Sequence, residues 1–119
     1  MILFAAAMIM VSCGAATPVS TNVHANIKEI VRNPETTLVD VRIPEQFAEK
    51  SAASAVNIPL TTIEANLDFF RKQKNIVVFC NSGKQATQAV EILNKNGIQN
   101  VYNGKTLKNI EAIKNENKQ

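Results

Sequence analysis

Cys80 closes a short apolar run, Asn-Ile-Val-Val-Phe, and is followed by Asn81, Ser82, Gly83, Lys84 and Gln85 before a long helical pattern begins. A thiol in that position has two possible roles. It can pack as a small hydrophobe, which is the common fate of a free cysteine. It can also act as a nucleophile, and then it must ionise. A free cysteine near pKa 8.5 is only a few per cent thiolate at neutral pH, and lowering that value by about two units takes about 2.7 kcal/mol. The first turn of a helix offers unpaired N–H groups and the positive end of a dipole, which favour an anion. Lys84 adds a positive charge, and Gly83 lets the backbone turn inward without a Cβ. The stretch can therefore build a cup of N–H donors around a sulfur.

Other reactive types are few. His24 is the only histidine, and its place near the start of the chain suits a solvated surface role better than partnership with the thiol. No Cys/His cluster is present, so no metal site and no cofactor is expected. With no Trp and one Tyr there is no aromatic platform for nucleic acid, and the lysines behind the net charge of +3 are scattered rather than striped. The 119 residues suffice for one domain, and a hydrophobic share of 45% suits a packed core.

The elements that would position Cys80 follow from periodicity. Ile27, Ile30 and Val31 have helical spacing, ended by Asn33-Pro34. "TTLVDV" reads as a strand, "PEQF" as a helix start with proline and an acid, and "AVNIP" as a second short strand. "TTIEANLDFFRKQ" reads as a helix capped by threonine with Glu64 behind it, carrying Ile63, Leu67 and Phe70 on one face. "NIVVF" is the continuous apolar run of a strand covered on both sides. "KQATQAVEILNKN" turns Ala86, Ala89, Val90 and Leu93 one way and stops at Gly97. "QNVY" reads as the last strand, and a terminal helix points Leu107, Ile110 and Ile113 inward. Strands alternating with helices predict an α/β fold, a small parallel sheet with helices on both faces. Ligands in such sheets bind beyond the carboxyl ends of the strands, where Cys80 stands.

The beginning of the chain differs in kind. Residues 2–11 are an unbroken apolar run, too short for the roughly 20 residues of a membrane helix and suited to a secretory signal. Ser12 and then Cys13 follow it, an arrangement that resembles a bacterial lipoprotein signal, in which the cysteine is lipidated. The expected organisation is a signal at 1–13 with Cys13 as lipidation site, a tether at 14–22 and one domain at 23–115. The expected location is the cell envelope, with membrane contact only through a lipid anchor. If Cys13 is lipidated, Cys80 is the only thiol; if it is unmodified, a Cys13–Cys80 disulfide is the alternative.

Over most of its length the chain resembles single-domain rhodanese-like sulfurtransferases. The resemblance rests on Asp40-Val41-Arg42 at a strand end, Glu45-Gln46-Phe47, Ala55-Val56-Asn57-Ile58-Pro59, Cys80-Asn81-Ser82-Gly83-Lys84, and the run from Gly97 to Tyr102. It implies a parallel-sheet domain in which Cys80 takes a sulfane sulfur from a small anionic donor such as thiosulfate. The cysteine holds it as a persulfide and passes it to a thiol or cyanide acceptor. It implies that Asn81, Ser82, Gly83, Lys84 and Gln85 form the loop whose N–H groups cradle the persulfide. It implies that Asp40 and Arg42 form a supporting pair, with Arg42 either guiding the donor or held by its neighbours.

The chain departs from that family at named positions. Gln85 stands where the loop often has arginine, and Lys50-Ser51-Ala52-Ala53-Ser54 replaces a Gly-His-Ile-Pro-Gly segment. Asn103-Gly104-Lys105 replaces a Gly-Gly and tryptophan segment. A related phosphatase branch has a longer loop ending in arginine; the matching position is Ala86, which argues against phosphatase chemistry. The competing reading is a non-catalytic binding or redox-partner module.

Overall fold

The computed structural model describes residues 26–116. Helix α1 (Ile27–Arg32) starts at Asn26, whose side chain accepts from the Lys28 amide, and leads into strand β1 (Thr36–Asp40). Helix α2 (Pro44–Glu49) has proline in its first turn, where a missing N–H costs nothing. Strand β2 (Val56–Asn57), a 3₁₀ segment (Leu60–Asn66) and helix α3 (Leu67–Arg71) follow. Strand β3 (Asn75–Cys80), helix α4 (Lys84–Lys95), strand β4 (Val101–Thr106) and helix α5 (Leu107–Asn115) complete the domain. The sheet order is β2-β1-β3-β4, and every pairing is parallel. The fold is thus the expected α/β layer structure.

Strand parity decides which way Cys80 points. Ile76, Val78 and Cys80 project to one face of β3, where they meet Val39, Ile63, Phe70, Ala86 and Leu93 under α4, α3 and the 3₁₀ segment. Val77 and Phe79 project to the other face, against Val31, Leu38, Ile110 and Ile113 from α1, β1 and α5. Burying each such branched or aromatic side chain contributes about 1.5–3 kcal/mol. Cys80 therefore reaches the same face as α4, and the turn into α4 begins directly after it.

Two expected elements take a different form. The stretch expected as one threonine-capped helix is a 3₁₀ segment followed by a short α-helix. No threonine caps it: the cap position is Pro59, without a side-chain cap, and the Thr62 hydroxyl donates to the Pro59 carbonyl. The β-branched run Thr61-Thr62-Ile63 disfavours α-helix. The last strand runs past Tyr102 to Thr106 and carries a bulge, since Val78 pairs with Asn103 but Phe79 pairs with Lys105. The skipped residue is Gly104, where a Cβ would lie 2.7 Å from Val77 Cγ1 and 2.8 Å from Ile110 Cδ1. A side chain there would force Val77 and Ile110 to shift, and the bulge places Lys105 at φ +68°.

Candidate active site

The Cys80 sulfur lies in the turn between β3 and α4. It accepts hydrogen bonds from the Gly83 amide at 3.1 Å and the Ala86 amide at 3.4 Å. It faces the Lys105 carbonyl at 3.6 Å, to which the thiol donates. The reason is local. Gly83 is the N-cap of α4 at φ +90° and has no side chain with which to satisfy the first helical amides. The sulfur, three residues earlier, takes the place of a capping oxygen. Cys80 is a free thiol only 1% exposed, so the sulfur sits at the bottom of the turn.

Of the five loop residues named from sequence, Gly83 alone hydrogen-bonds to the sulfur. The Lys84 amide turns to the Ser82 hydroxyl at 3.4 Å. Asn81, Ser82 and Lys84 are exposed and form the outer wall of the turn. The second donor, Ala86, carries no chemical mark in the sequence, because its side chain is silent and only its amide acts. Its signal was positional: it is the third residue of α4, whose amide in any helix lacks an intrahelical acceptor.

Asp40 and Arg42 lie at the end of the neighbouring strand. Arg42 Nη2 is 2.6 Å from Asp40 Oδ2, and Nε is 2.9 Å from Oδ1. The pair is buried, Asp40 at 0% and Arg42 at 5% exposure. Asp40 also accepts from the Arg42 amide at 3.0 Å and from the Ser51 hydroxyl at 2.7 Å. The remaining guanidinium donors go to the Lys50 carbonyl at 2.6 Å and to Asn81 Oδ1 at 3.1 Å. The hydrogen bonds to Asp40 hold Arg42 above its ordinary pKa against the opposing effect of burial, and the nearby charge of Asp40 adds to this. Arg42 is thus held by its neighbours, and through Asn81 it fixes the first residue of the loop.

A cavity of about 580 Å³ opens beside the loop, walled by Ser82, Gly83, Lys84, Thr87, Asn103 and Lys105. No acid lines it, and both lysines are exposed. On the other side of Asn81 a second cavity of about 520 Å³ is bounded by Arg42, Gln46, Glu49 and Lys50. Among the described residues no cluster of His, Cys, Asp or Glu is arranged to hold a metal. His24, Cys13 and the expected signal and tether segments lie outside the described residues.

A family model for the Rhodanese-like domain matches residues 23–105. The chain is 39% identical over 74 residues to the thiosulfate sulfurtransferase PspE of Escherichia coli K12, covering 60% of this chain and 71% of that protein. It is 29% identical over 83 residues to a tRNA uridine(34) hydroxylase of Buchnera aphidicola, covering 65% of this chain and 27% of that protein. Among solved structures it is similar to a rhodanese with anions from E. coli. That match has a TM-score of 0.57 and 37% identity, covering 62% of this chain and 89% of the other.

Proposed function

The chain belongs to the rhodanese-like domain family, and on that premise we propose that it is a sulfurtransferase with Cys80 as the sulfur carrier. The observation that carries the reading is the pair of amides, Gly83 and Ala86, aimed at one sulfur at the N-terminus of α4. Amides so placed favour a negative sulfur, whether thiolate or persulfide. In the first half-reaction the Cys80 thiolate attacks the outer sulfur of thiosulfate. A new S–S bond forms, the old one breaks, and sulfite leaves with the bonding pair. In the second, a thiolate or cyanide attacks the terminal sulfur, and the Cys80 thiolate departs with its electrons. The relative named thiosulfate sulfurtransferase, matched over most of its length, supports this reaction. The hydroxylase relative is matched over 27% of its length and supports the shared domain rather than hydroxylation.

In this reading the amides of Asn81, Ser82, Lys84 and Gln85, which follow Cys80 into the first turn of α4, help to cradle the terminal sulfur of a persulfide. Asp40 and Arg42 act as positioning residues through Asn81. The export reading belongs with this proposal: a signal at 1–13 with lipidation at Cys13, a tether at 14–22 and the domain at 23–115, in the cell envelope. Incorporation of labelled fatty acid that disappears in Cys13→Ser tests it; incorporation that persists without Cys13, or none at all, overturns it.

Treating the purified protein with thiosulfate is expected to add the mass of one sulfur atom to Cys80, and to add nothing to Cys80→Ala. Sulfur transfer by Cys80→Ala at the wild-type rate would end the reading. One observation favours a second reading, a non-catalytic module: the sulfur is 1% exposed and also faces the Lys105 carbonyl. Alkylation of Cys80 with the pH profile and rate of a free cysteine, together with no persulfide, is the result that reading expects.

A further inference from the structure

Lys105 stands in a backbone conformation that its side chain disfavours, and a network of four hydrogen bonds holds the bulge around it. Its φ is +68°. Its amide donates to Asn103 Oδ1 at 2.8 Å, Asn103 Nδ2 donates to Thr87 Oγ1 at 3.0 Å, and Thr87 Oγ1 donates to the Gly83 carbonyl at 3.0 Å. From the other side, Asn109 Nδ2 donates to the Gly104 carbonyl at 2.9 Å. A strained position fixed from several directions beside a reactive group is a common mark of function. The clasp ties the bulge of β4 to the residue whose amide touches the Cys80 sulfur.

The consequences appear on both sides of the Lys105 peptide. Its carbonyl lies 3.6 Å from the sulfur, and the residue lines the 580 Å³ cavity together with Lys84. No aspartate or glutamate lines that cavity. Among the described residues neither lysine has a carboxylate within ion-pair distance, whereas Lys28, Lys50 and Lys74 each do. Two lysines with no carboxylate partner among the described residues thus share the lining of a cavity next to the loop that follows Cys80.

We infer that Lys105, delivered by the β4 bulge, is a donor-selecting residue that with Lys84 binds the oxyanion end of a doubly charged sulfur donor. The inference rests on the sulfur-transfer reading above and adds to it the residues that select the donor. As the S–S bond of thiosulfate breaks, the outer sulfur passes to Cys80 and its former bonding electrons stay on the departing sulfite. The pair of lysines holds that dianion throughout. Selection against donors without an oxyanion follows from the same contacts.

The test separates binding from transfer. Thiosulfate affinity is measured by calorimetry on Cys80→Ser, on the same protein carrying Lys105→Gly or Lys105→Gln, and on one carrying Lys95→Gln at the far end of α4. Glycine relieves the strain, and glutamine removes the charge while keeping an unbranched polar side chain, so the pair controls for folding. Both Lys105 changes should weaken thiosulfate binding about tenfold, the scale of one charge-assisted contact, and reduce its salt dependence. Lys95→Gln should leave both within about twofold, as expected of an exposed distant charge. In proteins that retain Cys80, Lys105→Gly should raise KM for thiosulfate far more than it lowers kcat, and should weaken inhibition by sulfite. Affinities within about twofold across the Lys105 series, or no thiosulfate binding by Cys80→Ser, would overturn the inference. Absence of sulfur on Cys80 of the wild-type protein would instead overturn the transfer reading, while Lys105-dependent thiosulfate binding would still support the anion site.

Discussion

Arg42 is a buried charge that reaches the Cys80 loop through Asn81 without a hydrogen bond to the sulfur. Its guanidinium is engaged by Asp40, the Lys50 carbonyl and Asn81. Arg42→Ala would leave Asp40 buried without its counter-charge, a loss of about 3–5 kcal/mol in urea unfolding. Arg42→Lys keeps the charge but not the two-pronged geometry, and should fall between the two proteins. Sulfur uptake by Arg42→Lys should also slow, because Asn81 is no longer held, and this separates positioning from stability. Gly104 offers a second test. A methyl group there would meet Val77 and Ile110, and Gly104→Ala should cost about 1–3 kcal/mol by thermal unfolding, as overpacking does. What could be read from sequence at this scale were Cys80, from its own chemistry and position, and Asp40 and Arg42, through the family resemblance. Ala86 and the Lys105 carbonyl could not be read that way, since a backbone group carries no mark in a sequence and its direction is set by folding.

The unit that aims the thiol is the succession β3, loop, α4. Its central choice is Gly83, at φ +90° with only ordinary contacts to Lys105, 3.9 Å away, awaiting a Cβ. Gly83→Ala therefore costs backbone strain rather than space, about 1–2 kcal/mol for an alanine in the left-handed region. Relief of that strain would swing the amide away from the sulfur. Sulfur uptake from thiosulfate should then drop about tenfold, the worth of one hydrogen bond to a charged acceptor. Folding with undiminished uptake would argue that this amide is not needed. The same unit was the most legible part of the fold. The apolar run of β3, the one-sided pattern of α4 and its stop at Gly97 (φ +82°) all follow from local preference. Two neighbours were less legible, for different reasons. The Leu60–Asn66 segment has the apolar spacing of a helix, so Ile63 and Phe70 are buried as expected, but its β-branched residues and tertiary packing impose a 3₁₀ path. The far half of β4 reads as a loop because Asn103, Gly104 and Lys105 are poor strand formers; pairing with β3 on one side and Ile110 packing on the other extend it.

Across the whole domain, the helices on the two faces of the sheet divide the work. The α4 face carries the sulfur, and the opposite face closes the chain on itself through α1 and α5. That closure has an electrostatic clasp: Lys28 Nζ lies 3.0 Å and Arg32 Nη2 lies 2.8 Å from the Glu116 carboxylate. Arg32 also donates to the Ile113 carbonyl at 3.1 Å, which fastens it to the last turn of α5. The hydrogen bond from Lys28, and after it that from Arg32, hold Glu116 below the ordinary glutamate range. A carboxylate whose pKa is lower folded than unfolded adds stability above its unfolded pKa, about 4.3, and that stability is lost as pH falls through the folded value. The groups are exposed, so the effect is modest and screened by salt. Glu116→Gln should melt slightly below the wild-type protein at neutral pH and low salt. The gap should narrow as the pH is lowered past the carboxylate range and should shrink in high salt at neutral pH. Thermal unfolding of both proteins across that range checks this, and a gap that stays constant with pH would show that Glu116 acts there by packing rather than by charge. Because the clasp lies on the α1–α5 side, sulfur uptake by Glu116→Gln at neutral pH should match wild type, making it a stability change that leaves the thiol's surroundings intact.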